Sequence, residues 1–392
     1  MKATRRGDLK ESGMDGGNRT TKNKRYAAIK TRIFIIDLFL TVFLLAIFQF
    51  FLARPAARVA FEISPFFYAA CLIFSCMFLL FMYLGSFPLR LLSSFFVEKQ
   101  FGLSKQDLPA WFADEAKSAG LSLLLSVISI QVFYAAVRLF PEAWWAVTAG
   151  IWVFFSVVLT RFLPVFLIPI FYRYLPIDDP ALRERVMSLA SRARIKLMDV
   201  CRIDFSRKTA KANAAVVGLG RTRKVILADT LTDKFTPHEV DAVVAHEFGH
   251  CRYRHTWQLL ALSGAITLAG FFILSLIAKN MVALMGVSGL SDLRLLPALV
   301  FLVMLFGLAL LPAQNLFSRV LERQADRFAI ALTGDPEGFI SVMRRLAEVN
   351  LAEADPSLLK KIFLYTHPPV SERIRMAENI RRKNVGKKAS RA

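Results

Sequence analysis

Residues 33–52 read IFIIDLFLTVFLLAIFQFFL, twenty positions in which Asp37 is the lone charge. At 1.5 Å per residue a helix of that length spans about 30 Å, the thickness of a bilayer's hydrocarbon core. Five further apolar blocks follow at 66–92, 121–140, 144–171, 259–287 and 295–311. So many long blocks do not fit the buried core helices of a soluble domain; they predict an α-helical polytopic membrane protein with about six transmembrane helices. The composition agrees, since 55% of the 392 residues are hydrophobic and the mean hydropathy is +0.45, which excludes a disordered chain. The first block is too long for a signal-peptide core and has no small-residue cleavage site, so it reads as a retained span.

Charge sets the orientation. The chain carries 51 Lys and Arg against 30 Asp and Glu, a net charge of +21, and residues 1–32 alone hold ten basic side chains against three acids. Basic tails beside membrane spans favour cytoplasmic retention and anionic headgroups, a better fit than nucleic acid, which is not expected as a partner. Six spans return both termini to the same side. Segments 93–118, 172–255 and 315–392 then face the cytoplasm, while the opposite loops at 53–65, 141–143 and 288–294 are short. Arg161, Pro164 and Pro169 interrupt the fourth block, and a charge at that depth either lines a watery interior or snorkels to the interface beside a kinked helix end. The four cysteines show no C-x-x-C spacing, so neither a disulfide framework nor a thiolate metal site is expected.

Chemistry is concentrated at His246-Glu247-Phe248-Gly249-His250. The preceding Thr236-Pro237-His238-Glu239 is a capping box with proline at the first helical position, so a helix starts there. That helix carries His246 and His250 on one face, one turn apart, where two imidazoles can share a zinc ion, while Glu247 is rotated aside and free to reach a water. The alternative is a pair of surface histidines on an amphipathic helix. A catalytic zinc needs a third protein ligand. His255 is nearest in sequence, but Tyr253 stands where a chain-reversing glycine would be wanted. Glu322 is the better candidate, on a helical run that follows Pro312 and ends near Gly334. Asp326 lies on the same face at i+4, so one carboxylate can bind metal while the other takes the N–H of a ligating histidine. Arg319, Arg323 and Arg327 could instead pair with these acids on a solvated helix.

These residues resemble a known family, the integral-membrane zinc metalloproteases that include the type I CAAX prenyl proteases and the heat-shock membrane metalloproteases. The resemblance runs from about residue 91 to residue 377. It rests on Val97-Glu98-Lys99-Gln100-Phe101-Gly102, Lys105-Gln106, Ser206-Arg207, Asn213-Ala214 and residues 225–231. It continues through the H-E-x-x-H motif with His255-Thr256, then Ser318-Arg319, Gln324-Ala325-Asp326, His367-Pro368-Pro369 and Glu372-Arg373. The resemblance implies one zinc per chain held by His246, His250 and Glu322, with Glu247 as general base and with Asn213 and His367 facing the substrate. His367 would then help hold the oxyanion. Here four spans precede the zinc domain, where the eukaryotic members have five.

The expected organisation is a basic leader at 1–32 and four spans at 33–171 with an amphipathic cytoplasmic loop at 93–118. A cytoplasmic α+β zinc-peptidase domain is split into 172–255 and 315–392 by two spans within 256–314, and a basic tail closes the chain. Residues 213–218 and 224–229 read as a hairpin around Leu219 to Arg223, whose open edge could hold an extended peptide. The expected activity is hydrolysis of peptide bonds, either removal of the C-terminal tripeptide from prenylated proteins or cleavage of membrane-associated peptides. A membrane-protein quality-control protease and a non-catalytic transporter or scaffold are the alternatives.

Overall fold

A computed structural model describes residues 5–177, 179–218 and 220–389. The ends of the basic leader and tail, and Leu219 at the tip of the expected hairpin, lie outside the described residues. Among the described residues, six helices are long and apolar enough to cross a membrane. The first combines α1 (Arg5–Ile47), a π-helical turn at Phe48–Leu52 and α2 (Ala53–Ile63). The second runs from α3 (Phe67–Leu91) through another π-helical turn into α4 (Val97–Gln100). α5 (Leu108–Leu139) and α6 (Trp144–Phe171) complete the first group. Two expectations change here. Residues 53–63 are helix rather than loop, and the expected loop at 93–118 contracts to 101–107 because both flanking helices run well past the apolar blocks. α6 runs through Arg161, which is exposed, to Phe171.

The polar region between the fourth and fifth spans is α+β. It comprises β1 (Tyr174–Leu175), α7 (Pro180–Arg192), β2 (Asp199–Ile203), β3 (Ala214–Val217), β4 (Lys224–Ala228), α8 (Asp229–Thr232) and α9 (Pro237–Arg252). The strands form one sheet in the order β1-β2-β4-β3; β2 and β4 are parallel and the outer pairs antiparallel, so β3 is an edge strand. The expected hairpin is therefore β3–β4. The fifth span is α10 (His255–Met285) and the sixth is α11 (Leu296–Thr333), followed by α12 (Pro336–Val349), α13 (Leu358–Leu364) and α14 (Val370–Ala389). Pro312 lies inside α11, so the sixth span and the run that carries Glu322 are one uninterrupted helix.

Local signals explain where helices start. α5, α7, α9 and α12 each begin at Asp107, Asp179, Thr236 or Asp335, whose side chain accepts from a first-turn N–H, with proline just inside. In α9 the capping box is complete, with Thr236 N–H donating to Glu239 Oε2 at 2.8 Å. Burial then fixes two main cores. Val186, Val225, Leu227, Val244, Phe248 and Phe339 join the sheet to α7, α9 and α12, and Phe48, Phe74, Tyr134, Leu274 and Leu295 join the spans. The leader is tied down as well: Tyr26 donates to Glu98, and Asn23 donates to the carbonyls of Ala347 and Ala352.

Candidate metal centre

α9 and α11 bring the predicted residues together. His246, His250 and Glu322 each offer a ligand atom, and these atoms all lie within 4.8 Å of one another. The two Nε2 atoms are 3.1 Å apart, His246 Nε2 is 3.3 Å from Glu322 Oε2, and His250 Nε2 is 3.4 Å from Glu322 Oε1. A tetrahedral ion with bonds of about 2.0–2.1 Å needs ligand atoms about 3.3–3.4 Å apart. Glu322 Oε2 is buried without a hydrogen-bond partner. A buried carboxylate oxygen without a donor is costly, and a cation beside it removes the cost. The residues present therefore fit a divalent metal.

The close approach of the two helices has a sequence cause. A Cβ on Gly249 would lie 2.8 Å from Ala325 Cα and 3.2 Å from its Cβ, so a glycine facing an alanine lets the backbones meet. Asp326 is fully buried, and its Oδ1 lies 2.9 Å from His246 Nδ1, within reach of an N–H there. Arg373 donates to both oxygens of Asp326, through Nε to Oδ2 at 2.9 Å and through its terminal nitrogen to Oδ1. Sequence reasoning gave Arg373 no role beyond its place in the resemblance.

Electrostatics follow from this packing. Burial opposes a charge on His246, but the carboxylates of Asp326 and Glu322 beside it outweigh that and push it up to about 9, so this corner is built for positive charge. Burial and then the neighbouring His246 push His250 down to about 4, which keeps its ring neutral with a lone pair to offer. Burial pushes Glu247 up to about 7, near the range in which a carboxylate exchanges protons readily at neutral pH. Glu247 enters none of the hydrogen bonds that tie the cluster together.

His367 reaches the cluster from the turn between α13 and α14, with Nε2 3.5 Å from Glu322 Oε1 and more than half of its side chain exposed. The hydroxyl of Thr366 lies 3.0 Å from His367 Nδ1, and if it donates there the N–H is left on Nε2. The turn itself is fixed from α11. Arg319 Nη1 donates to the carbonyls of Lys361 and Tyr365, both at 2.7 Å, and Asn315 donates to that of Ile362. Arg319 thus holds the chain that leads to His367 instead of pairing with the nearby acids. Asn213 is not in the cluster. It is exposed at the start of β3, with its Oδ1 accepting from Ala214 N–H, and β3 packs against α9.

His255 was set aside as a ligand, and it is not among the three clustered groups, yet it is close. Arg254 has a left-handed φ of +55°, which turns the chain without a glycine and returns the buried His255 ring to α9. Its Nδ1 is 2.9 Å from His250 Nδ1 and its Nε2 is 3.2 Å from Gln324 Oε1. A histidine heading an apolar span, and a glutamine between Glu322 and Asp326, were the available signals.

Residues 176–381 match the model of peptidase family M48, and residues 17–173 match that of the CAAX prenyl protease N-terminal region, described as five membrane helices. Four of the candidate spans fall within that second stretch. Among curated proteins, the chain is 31% identical over 286 residues to the uncharacterized metalloprotease YhfN of Bacillus subtilis, covering 72% of this chain and 67% of that one. It is 27% identical over 328 residues to the probable CAAX prenyl protease 1 of Schizosaccharomyces pombe, covering 81% and 68% respectively. The crystal structure of S. mikatae Ste24p superposes with a TM-score of 0.83 at 24% identity, over 92% of this chain and 89% of that chain. That likeness establishes the fold, a helical polytopic membrane protein.

Proposed function

Because the chain belongs to peptidase family M48, and is therefore a membrane metalloprotease, we propose that it is a zinc endopeptidase whose substrates are peptides presented at the membrane. The first substrate class is the C-terminal CAAX sequence of prenylated proteins, cut after the modified cysteine. His246, His250 and Glu322 hold the zinc in this reading, and the observation that carries it is the convergence of one ligand atom from each within 4.8 Å, with each imidazole Nε2 within 3.4 Å of a Glu322 oxygen. Prenylation is suggested by the naming of relatives as CAAX prenyl proteases, and the basic tails suit anionic headgroups. The peptidase half and both termini then lie in the cytoplasm.

Zinc bound there supplies positive charge that acidifies a water and polarises the scissile carbonyl. The chain's own residues do the rest. An extended peptide adds to the open edge of β3, which presents its backbone without reading side chains, and Asn213 stands at the start of that edge. Glu247 takes the proton from the attacking water and passes it to the leaving amine; its position near neutrality suits both transfers. His367 Nε2–H donates to the carbonyl oxygen as negative charge develops on it. Asp326 accepts from His246 Nδ1–H and leaves Nε2 free to bind, while Arg373 balances the charge of Asp326.

The test is cleavage of a farnesylated CAAX peptide by the purified protein, with metal content measured alongside and Glu247→Gln as control. Release of the tripeptide by the wild type is expected, with at least a hundredfold loss in the variant at unchanged zinc content. Cleavage of an unfolded membrane protein without cleavage of the prenylated peptide would move the assignment to quality control. Wild-type rates in Glu247→Gln would overturn the mechanism.

A further inference from the structure

The two imidazoles of the metal centre are steadied differently. His246 has a carboxylate, Asp326, at its far nitrogen, whereas His250 has another imidazole. A hydrogen bond between two ring nitrogens needs one to carry a proton and the other a lone pair. His250 can bind a metal through Nε2 only if its proton is on Nδ1. His255 Nδ1, 2.9 Å away, must then present its lone pair, which puts the His255 proton on Nε2. Gln324 Oε1, 3.2 Å from that nitrogen, is an acceptor. The chain of protons closes with a donor and an acceptor at each step.

We propose that His255 is a positioning residue for the metal centre: it locks His250 in the tautomer with a free Nε2, and Gln324 locks His255 in turn. The proposal rests on the reading of His246, His250 and Glu322 as zinc ligands. The relay is held by its surroundings. His255 is 1% exposed and lies flat against Tyr253 at 5.7 Å between ring centroids, with Tyr253 edge-on to Phe328. The ring therefore has little freedom to turn away. A neutral imidazole also does something a second Asp326 would not. Glu247, Glu322 and Asp326 already place three carboxylates at the site, with Arg373 paired to Asp326. An imidazole and an amide orient His250 without adding a further negative charge, so the bound cation keeps more of its electrophilic character.

The test is zinc affinity, measured by competition with a chromophoric chelator on purified full-length protein, beside thermal melting of the metal-stripped forms. His255→Phe keeps the shape and removes the acceptor; zinc binding about 10- to 100-fold weaker is expected. His255→Asn places Oδ1 near the position of Nδ1 and should restore affinity to within about threefold of wild type, which a merely space-filling role for His255 does not predict. Wild-type affinity in His255→Phe, or an asparagine variant no better than phenylalanine at equal melting temperature, overturns the proposal. Should the phenylalanine variant not fold, Gln324→Met decides: it leaves His255 in place without its acceptor, weaker zinc binding supports the relay, and unchanged binding overturns it. Glu322→Ala separates this proposal from the reading beneath it. If that variant keeps wild-type zinc affinity, the ligand assignment fails; if it loses zinc while His255→Phe does not, only the relay fails.

Discussion

His246 and His250 are one helical turn apart, and that spacing is enough to point both rings the same way. Their hydrogen-bond partners decide which nitrogens face the centre. Asp326 supplies one partner from α11, and His255 supplies the other from the start of α10. That the H-E-x-x-H pair, Glu322 and Asp326 lie together was legible, from spacing within each helix and from the resemblance that joins the two helices. Arg373 was not, since its pairing with Asp326 joins positions 47 apart. His367 sits at the rim of the centre with its Nε2 toward Glu322. In His367→Ala, kcat on a cleaved peptide should fall about 10²–10³-fold with KM little changed and zinc content intact. Equal loss of zinc would instead make it part of the metal-holding set.

At the scale of elements, the centre depends on how closely α9 and α11 approach. Gly249→Ala would drive a methyl group into the backbone of Ala325. It should cost about 1–3 kcal/mol of stability and weaken zinc binding as the ligand-bearing helices separate. Thermal melting and chelator competition read the two effects, and an unperturbed variant would show that the contact can relax. The start of α9 carries a pH signature. Burial raises the Glu239 carboxyl, but hydrogen bonds from Ser341 and from Thr236, with the charge of Arg345, outweigh it and hold the group below its usual 4.5. A carboxyl lowered on folding stabilises fully above its unfolded value and loses that contribution as pH falls through the folded one. Glu239→Gln should therefore cost about 1–2 kcal/mol at pH 7. The gap in melting temperature to wild type should close as pH falls below the ordinary carboxyl value and through the lowered one. The capping box was legible because its partners are three residues apart; Ser341 and Arg345 come from α12 and were not.

At the scale of the molecule, five of the six candidate spans are 31 to 43 residues long, where a bilayer needs about 20. The excess length connects the membrane to the chemistry: α11 carries Glu322 and Asp326 beyond its apolar stretch, and α10 begins with His255. If the metal centre faces the cytoplasm, a membrane-impermeant maleimide applied to right-side-out vesicles should label Phe66→Cys, on the loop between the first two spans. It should miss Val385→Cys on α14 until the membrane is opened, and the reverse pattern would invert the topology. Both positions are well exposed, and the four native cysteines are at most partly so. The sequence by itself determined the spans, the α9 start and the paired imidazoles, because hydrophobic run length, capping and helical periodicity are properties of neighbouring residues. Only the tertiary structure decided that Pro312 is spanned by a continuous helix, that a left-handed Arg254 turns His255 back to His250, and that Arg319 anchors the turn to His367. Each of those depends on free energy shared between segments far apart in the chain, which no local pattern records.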